Sequence, residues 1–95
     1  MEVDFTARVF EWRGPSPYVF AALSAEAVDA VRVVAAGASY GWGCIPVTAA
    51  IGDTVWQTSL IPKDGGYLLP LRSSVRQSRG IGLGDEVAVQ LQFDA

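Results

Sequence analysis

The residues whose types and spacing best suit chemistry are basic side chains in the second half of the chain. Arg72, Arg76 and Arg79 follow one another at helical spacing, which places their guanidinium groups on one side of a helix. Lys63 and the pair Gly65-Gly66 come shortly before them. Glycine-rich turns present backbone N–H groups to anions, and arginines grip phosphate or carboxylate with two hydrogen bonds. The pattern predicts an anion-binding patch, with a solvated helix face as the alternative.

Large aromatic rings form a second group of candidates, and each ring needs an apolar surround and a partner for its N–H or O–H group. One interpretation is an aromatic ligand pocket at the mouth of a barrel. The other is that rings fill the interior, which is favoured for Trp12 and Trp56, whereas both interpretations stay open for Trp42 between its two glycines. The rings belong to Trp12, Tyr18, Tyr40, Trp42, Trp56 and Tyr67.

Other chemistry is restricted by what the chain lacks. Histidine is absent, which excludes Ser-His-Asp and Cys-His mechanisms. Cys44 is the only cysteine, so neither an intramolecular disulfide nor a cysteine metal cluster is expected, and a reducing cytoplasm is the predicted setting. The carboxylates fall in turns or on polar helix faces, and no pair can be placed together. We expect no metal and no cofactor.

Composition predicts one domain over residues 1–95 with a large apolar content. Hydrophobic residues make up 51% of the chain and charged residues 18%, so the core is large or some apolar surface faces a partner, which makes a homodimer plausible. The net charge of −3 disfavours nucleic acid. Acidic residues begin the chain and no apolar run reaches membrane-spanning length, so a soluble protein is expected.

In the first half of the chain, alternating apolar residues predict a strand from Val3 to Val9. The apolar phase then shifts to Phe10 and Trp12, which predicts a β-bulge. Residues 18–23 are typical of a second strand. Ser24 fits the N-cap of a helix that Gly37 would end, with Val28, Val31, Val34 and Ala35 on one face.

In the second half, residues 45–51 and 54–61 alternate as two strands joined by a Gly52-Asp53 hairpin. Residues 62–66 have the composition of a loop, and residues 67–69 are typical of a short strand. Pro70 fits the start of a short helix that ends at Gly80 and has Leu71 and Val75 on one face. A Gly84-Asp85 turn leads to a last strand over residues 87–93.

The elements therefore occur as β-β-α-β twice, although the two halves share little sequence. Two such units can close a barrel without exposed strand edges. We predict a mainly β fold, a small six-stranded barrel of the double-split or cradle-loop kind, with two short helices and an origin in internal duplication.

Several motifs resemble a small bacterial and archaeal domain family of unknown function, which is found alone or fused to bacteriocin-protection domains of the YdeI or OmdA type. The resemblance covers nearly the whole chain and implies a small closed or split β-barrel with two short helices. It implies little about activity. The motifs are Gly41-Trp42-Gly43, Ile45-Pro46-Val47, Trp56-Gln57-Thr58-Ser59-Leu60 and the run from Lys63 to Leu71.

The leading functional hypothesis is a barrel that binds a small anionic or apolar ligand or a protein partner. The alternative is a cofactor-free enzyme in which an apolar aromatic cavity orients a substrate for cyclisation or isomerisation. An AbrB-like DNA-binding barrel is disfavoured by the acidic charge. The candidate binding residues are Tyr40, Trp42, Trp56, Lys63, Gly65, Gly66, Tyr67, Arg72 and Arg76.

Overall fold

A computed structural model describes residues 2–12, 18–38 and 44–93. These residues form six strands and two helices in the order β-β-α-β-β-β-α-β, as the sequence predicts. The elements are β1 (Glu2–Trp12), β2 (Tyr18–Ala22), α1 (Ala25–Ala38), β3 (Ile45–Ile51), β4 (Thr54–Lys63), β5 (Gly66–Pro70), α2 (Ser73–Arg79) and β6 (Glu86–Gln92).

The six strands close into an antiparallel barrel in the order β1-β2-β5-β4-β3-β6. Two long strands make the closure possible because each changes partner along its length. Strand β1 pairs with β6 over residues 2–8 and with β2 over residues 9–12. Strand β4 pairs with β3 over residues 54–60 and with β5 over residues 61–63. The barrel wall therefore has two parts, which we call sheet A (β6, β3 and the first parts of β1 and β4) and sheet B (β2, β5 and their last parts).

Alternate residues of each strand point into the barrel, where apolar side chains fill the space. Ala49 of β3 pairs with Trp56 on one side and Leu91 on the other, and all three are buried. The small methyl group of Ala49 between two large side chains is the alternation of sizes that a small barrel needs. Helix α1 adds Ala27, Val28 and Val31 to the same cluster, and α2 adds Val75.

Helix α1 begins where the sequence predicts. The backbone N–H of Ala27 donates to Ser24 Oγ at 3.2 Å, the N-cap hydrogen bond. Val28 and Val31 are buried as expected, whereas the side chains of Val34 and Ala35 lie outside the described residues. The helix continues to Ala38, so the prediction that Gly37 ends it is wrong. Neither described helix has the length and apolar character needed to cross a membrane.

The β3–β4 turn has the predicted form. Ile51 pairs with Thr54, which leaves Gly52 and Asp53 as a two-residue loop, and Gly52 has a positive φ of 59°. A glycine at the first loop position is the requirement of a type II′ hairpin. The two-residue length of this turn fixes the register of the two strands, and the register sets which side chains of β3 and β4 enter the barrel.

Residues 62–66 form a hairpin instead of the expected loop. Lys63 pairs with Gly66, and the two loop residues Asp64 and Gly65 both have positive φ, 51° and 79°. Such Asp-Gly loops are typical of type I′ turns. Strand β4 consequently extends through Pro62. Proline is tolerated there because Pro62 and Tyr67 form the pair next to the closing pair of the hairpin, and such a pair exchanges no backbone hydrogen bonds.

Strand β1 contains no bulge, so that prediction is wrong. Its pairing with β2 runs without an inserted residue from Val9 to Trp12. Val9 still points inward and is buried, but Phe10 and Trp12 are exposed. The apolar phase changes because the outer face of the strand becomes apolar beyond Arg8, where β1 leaves β6 for β2.

The second helix is displaced from its predicted start. Pro70 is the last residue of β5 and pairs with Phe20, so it does not begin a helix. Helix α2 ends at Gly80, whose φ of 64° gives the left-handed cap predicted for it. Leu71 and Val75 are both buried in the core cluster, as their shared face predicts.

Replacing Gly52 with alanine tests the β3–β4 turn. We expect Gly52→Ala to lower the free energy of unfolding by about 1–2 kcal/mol, because an alanine is strained at positive φ. The added methyl group would also meet the Arg79 guanidinium, which lies at the flexible end of its side chain and can move away. Urea denaturation measures the loss.

Gly82→Ala is the matched control, since a methyl group there makes only ordinary contact with Asp85 and no positive φ is involved. Equal stability of the Gly52→Ala and Gly82→Ala variants would contradict the turn assignment.

Candidate functional site

The three arginines of α2 reach three different places. Arg72 Nη2 donates to the backbone oxygen of Gln57 in the middle of β4 at 2.7 Å. Arg76 Nη2 donates to Ser73 Oγ within the helix at 3.4 Å. The guanidinium of Arg79 lies against Gly52 in the β3–β4 turn. Each side chain therefore has its own local contact.

Lys63 lies far from Arg79. Arg79 contacts the turn that precedes β4, whereas Lys63 is the last of the ten residues of that strand. Ten extended residues span about 30 Å. The structure thus separates the two ends of the predicted anion patch.

The structure does bring together the hairpin members of that patch. Lys63, Gly65, Gly66 and Tyr67 line a groove of about 310 Å³ at the β4–β5 turn, together with Pro62, Asp64 and Arg32. The positive charges of Arg32 and Lys63 favour the binding of an anion in this groove, whereas the negative charge of the Asp64 carboxylate disfavours it.

Arg32 is the member of this groove that sequence reasoning missed. It comes from α1, and its Nη2 donates to the backbone oxygen of Gly65. Arg32 stands one helical turn after Val28, and Val28 faces Gly66 in the structure. The contact between α1 and the hairpin had no sequence signal.

Trp56 lies inside the barrel. Its side chain is 7% exposed, and its Nε1 has no hydrogen-bond partner among the described residues. This confirms the interpretation that Trp56 fills the interior and gives no sign that it lines a ligand pocket. The candidates Tyr40 and Trp42 lie outside the described residues.

The expectation of an interior position for Trp12 is wrong. Trp12 is 49% exposed, Phe10 is 38% exposed and Tyr18 is 59% exposed. All three rings surround Phe20, which is 3% exposed, with ring centroids 6.1 Å (Phe10), 6.4 Å (Trp12) and 6.1 Å (Tyr18) from it. We call these four residues the aromatic face.

The strand register places the aromatic face on the outside of sheet B. Phe10 pairs with Phe20, and Trp12 pairs with Tyr18, while the intervening Val9 and Val19 point inward. Phe20 is buried but does not belong to the interior cluster. Cross-strand aromatic pairs stabilise a sheet and hold their rings in fixed positions.

Lys63 joins this face from the far side of sheet B. Its Nζ lies 3.9 Å from the centroid of the Trp12 ring, a cation–π geometry. Trp12 belongs to β1 and Lys63 to β4, and strands β2 and β5 lie between them in the barrel. The contact therefore links the two ends of sheet B across its outer surface.

A groove of about 690 Å³ was also missed from the sequence. It runs along the outer side of the β3–β4 hairpin and reaches β5. Its lining comes from separate strands, so only their pairing brings the residues together. They are Cys44, Pro46, Val47, Thr48, Gln57, Thr58, Ser59, Ile61 and Pro70.

A double-mutant cycle tests the Lys63–Trp12 contact. We expect Lys63→Gln and Trp12→Ala to show a coupling of about 0.5–1 kcal/mol in the free energy of unfolding, the usual size of an exposed cation–π interaction. Additive effects of the two substitutions would contradict the contact. Both residues are exposed, so neither variant removes a core side chain.

Comparison with known proteins supplies a family and no activity. No curated protein matches the chain. A family model described as a domain of unknown function, DUF1905, matches residues 5–91, which include every described strand at least in part. The predicted membership of a family of small domains of unknown function is thereby confirmed, and the chain belongs to the DUF1905 family.

Proposed function

We propose that this domain is a binding module that contacts a protein partner through the aromatic face. The observation that carries the proposal is the exposure of Phe10, Trp12 and Tyr18 around one buried ring. Given the usual surface area of such residues, the three together expose about 300 Å². Exposed apolar patches of a few hundred Å² commonly mark interaction sites.

The filled interior supports surface binding over catalysis. A cofactor-free cyclisation or isomerisation, the alternative function, needs a cavity that holds and orients its substrate. Val47, Trp56 and Leu91, three of the inward side chains, are instead packed in the core cluster. The described interior positions are thus occupied by the protein itself.

The aromatic face is also suited to binding because it is rigid. Its rings rest on Phe20 and on paired strands, so little side-chain freedom is lost when a partner covers them. Tyrosine and tryptophan are the residues most often found at the energetic centre of protein interfaces.

Selection of random peptides displayed on phage against the immobilised domain tests the proposal. We expect the selected peptides, measured by fluorescence anisotropy, to bind Trp12→Ala and Tyr18→Ala at least about tenfold more weakly, the effect of losing an interface anchor. Val55→Ala is the matched control, because Val55 is exposed on sheet A. Peptides that bind all three variants like the unaltered domain, or a selection that enriches none, would refute the proposal.

A second candidate function is anion binding at the β4–β5 hairpin, which the convergence of Arg32 and Lys63 in one groove favours. Phosphate titration followed by NMR tests it. We expect amide shifts at Gly65 and Gly66 that Arg32→Gln abolishes and Arg79→Gln leaves unchanged, since Arg79 lies at the other end of β4. Unshifted Gly65 and Gly66 amides in the unaltered domain would end this candidate.

We propose further that the barrel arose by duplication of a β-β-α-β unit. The strand order supports this, because exchanging β1, β2 and β3 with β4, β5 and β6 leaves every pairing of the barrel unchanged. We also propose a cytoplasmic location, which the single cysteine supports because cytosolic proteins rarely contain disulfides.

A further inference from the structure

We infer that the partner segment is an amphipathic helix whose apolar side chains are flanked by carboxylates. The inference rests on the proposed function and names the class of partner. It follows from the charges around the aromatic face, the closure of the barrel and the arrangement of the rings.

Two cationic side chains border the aromatic face although the chain as a whole carries a net charge of −3. Lys63 lies over Trp12, and Arg72 follows Pro70 at the end of β5. Arg8 precedes Phe10 on the outer side of β1, but it lies opposite Glu86 of β6. Among the described residues, the outward positions of sheet B carry no carboxylate, and the exposed carboxylates nearest in sequence are Glu11 between Phe10 and Trp12 and Asp64 in the β4–β5 turn.

Sheet A has the opposite character. Its outward positions include Glu2, Asp4 and Glu86, next to neutral polar residues such as Gln90. Among the described residues of sheet A, these three carboxylates outnumber the one cation, Arg8, which lies opposite Glu86. A partner that covers the aromatic face meets cations at the rim, and acidic side chains complement them.

Closure of the barrel restricts how a partner binds. Every described strand lies between two neighbours in the closed barrel. Strands β1 and β4 pair with each neighbour over only part of their length, and helices α1 and α2 pack against these two strands. A partner strand would therefore have to enter between barrel strands or displace a helix. The partner must contact side chains on the outer surface. An amphipathic helix does this with one apolar stripe.

The arrangement of the rings fits such a stripe. Phe10, Trp12 and Tyr18 lean on Phe20 at interplanar angles of 41° to 44°, so they form one continuous patch instead of parallel slots. A stacking platform for single-stranded nucleic acid needs open ring faces, and Lys63 already covers one face of Trp12.

The patch continues into the groove of about 690 Å³ through Ile61 and Pro70. Ile61 is next to Leu68 of β5, and Pro70 is next to Phe20. A helix that rests on the aromatic face thus reaches Gln57 and Ser59 in the groove, which offer polar contacts beside the apolar stripe. Lys63 keeps ammonium hydrogens for a carboxylate while it lies over Trp12.

Three synthetic helical peptides with the same apolar stripe test the inference, with glutamate, glutamine or lysine at the flanking positions. By fluorescence anisotropy we expect the glutamate peptide to bind about tenfold more tightly than the glutamine peptide, and the lysine peptide most weakly. The Lys63→Gln, Arg72→Gln double variant should remove the preference, so that the glutamate and glutamine peptides bind equally. Arg79→Gln, distant from the face, is the control and should keep the preference.

Equal binding of the three peptides, each still weakened by Trp12→Ala, would overturn the inference and leave the proposed function standing. Failure of all three to bind while peptides from the phage selection depend on Trp12 would do the same. If neither peptide set depends on Trp12, the proposed function itself fails. Tighter, Trp12-dependent binding of oligothymidylate or of phosphatidylserine vesicles than of the glutamate peptide would also overturn the inference.

Discussion

The change of partner within two long strands is the constraint on which the rest of this structure depends. Strand β1 passes from β6 to β2 after Arg8, and β4 passes from β3 to β5 after Leu60. Since both strands belong to sheet A and sheet B, the two sheets close on each other. Closure then decides which side chains are enclosed and which remain outside.

The function we propose follows from that division. Inward positions are filled by the chain's own apolar residues, with Trp56 and Leu91 on either side of Ala49. The apolar residues left over, Phe10 and Trp12 among them, occupy the outside of sheet B. A high apolar content in a small barrel is thus explained by a full interior together with one apolar outer surface.

The fold was predictable because local signals agreed with one another. The Ser24 cap, the Gly52-Asp53 turn and the alternation along β3 and β6 each depend on neighbouring residues, and each is present. The errors in β1 and β4 have one origin, in that chain-local patterns do not show a strand changing partner. Phe10 and Trp12 suggested a bulge, and Pro62 suggested a loop, because the pairing of the last part of each long strand was not known.

The candidate site was less predictable than the fold because it is made by contacts between distant residues. The three predicted arginines do lie on α2, with Arg72 at its N-cap and Arg76 and Arg79 in its last turn. Their side chains, however, extend to different neighbours. Arg32 was overlooked since nothing near it in sequence indicates the Gly65 carbonyl. Tyr18 was among the candidate aromatic residues, but its position in a cluster on the outer surface could not be predicted without the register between β1 and β2.

Photo-CIDNP NMR with a flavin dye tests most directly whether the interior is filled and the aromatic face lies outside, because the dye polarises only rings it can touch. We expect polarised signals from Trp12 and Tyr18 and none from Trp56, because their side chains are 49%, 59% and 7% exposed. A polarised Trp56 together with silent Trp12 and Tyr18 would contradict this expectation, since the accessible rings would then lie in the barrel and not on its outer surface.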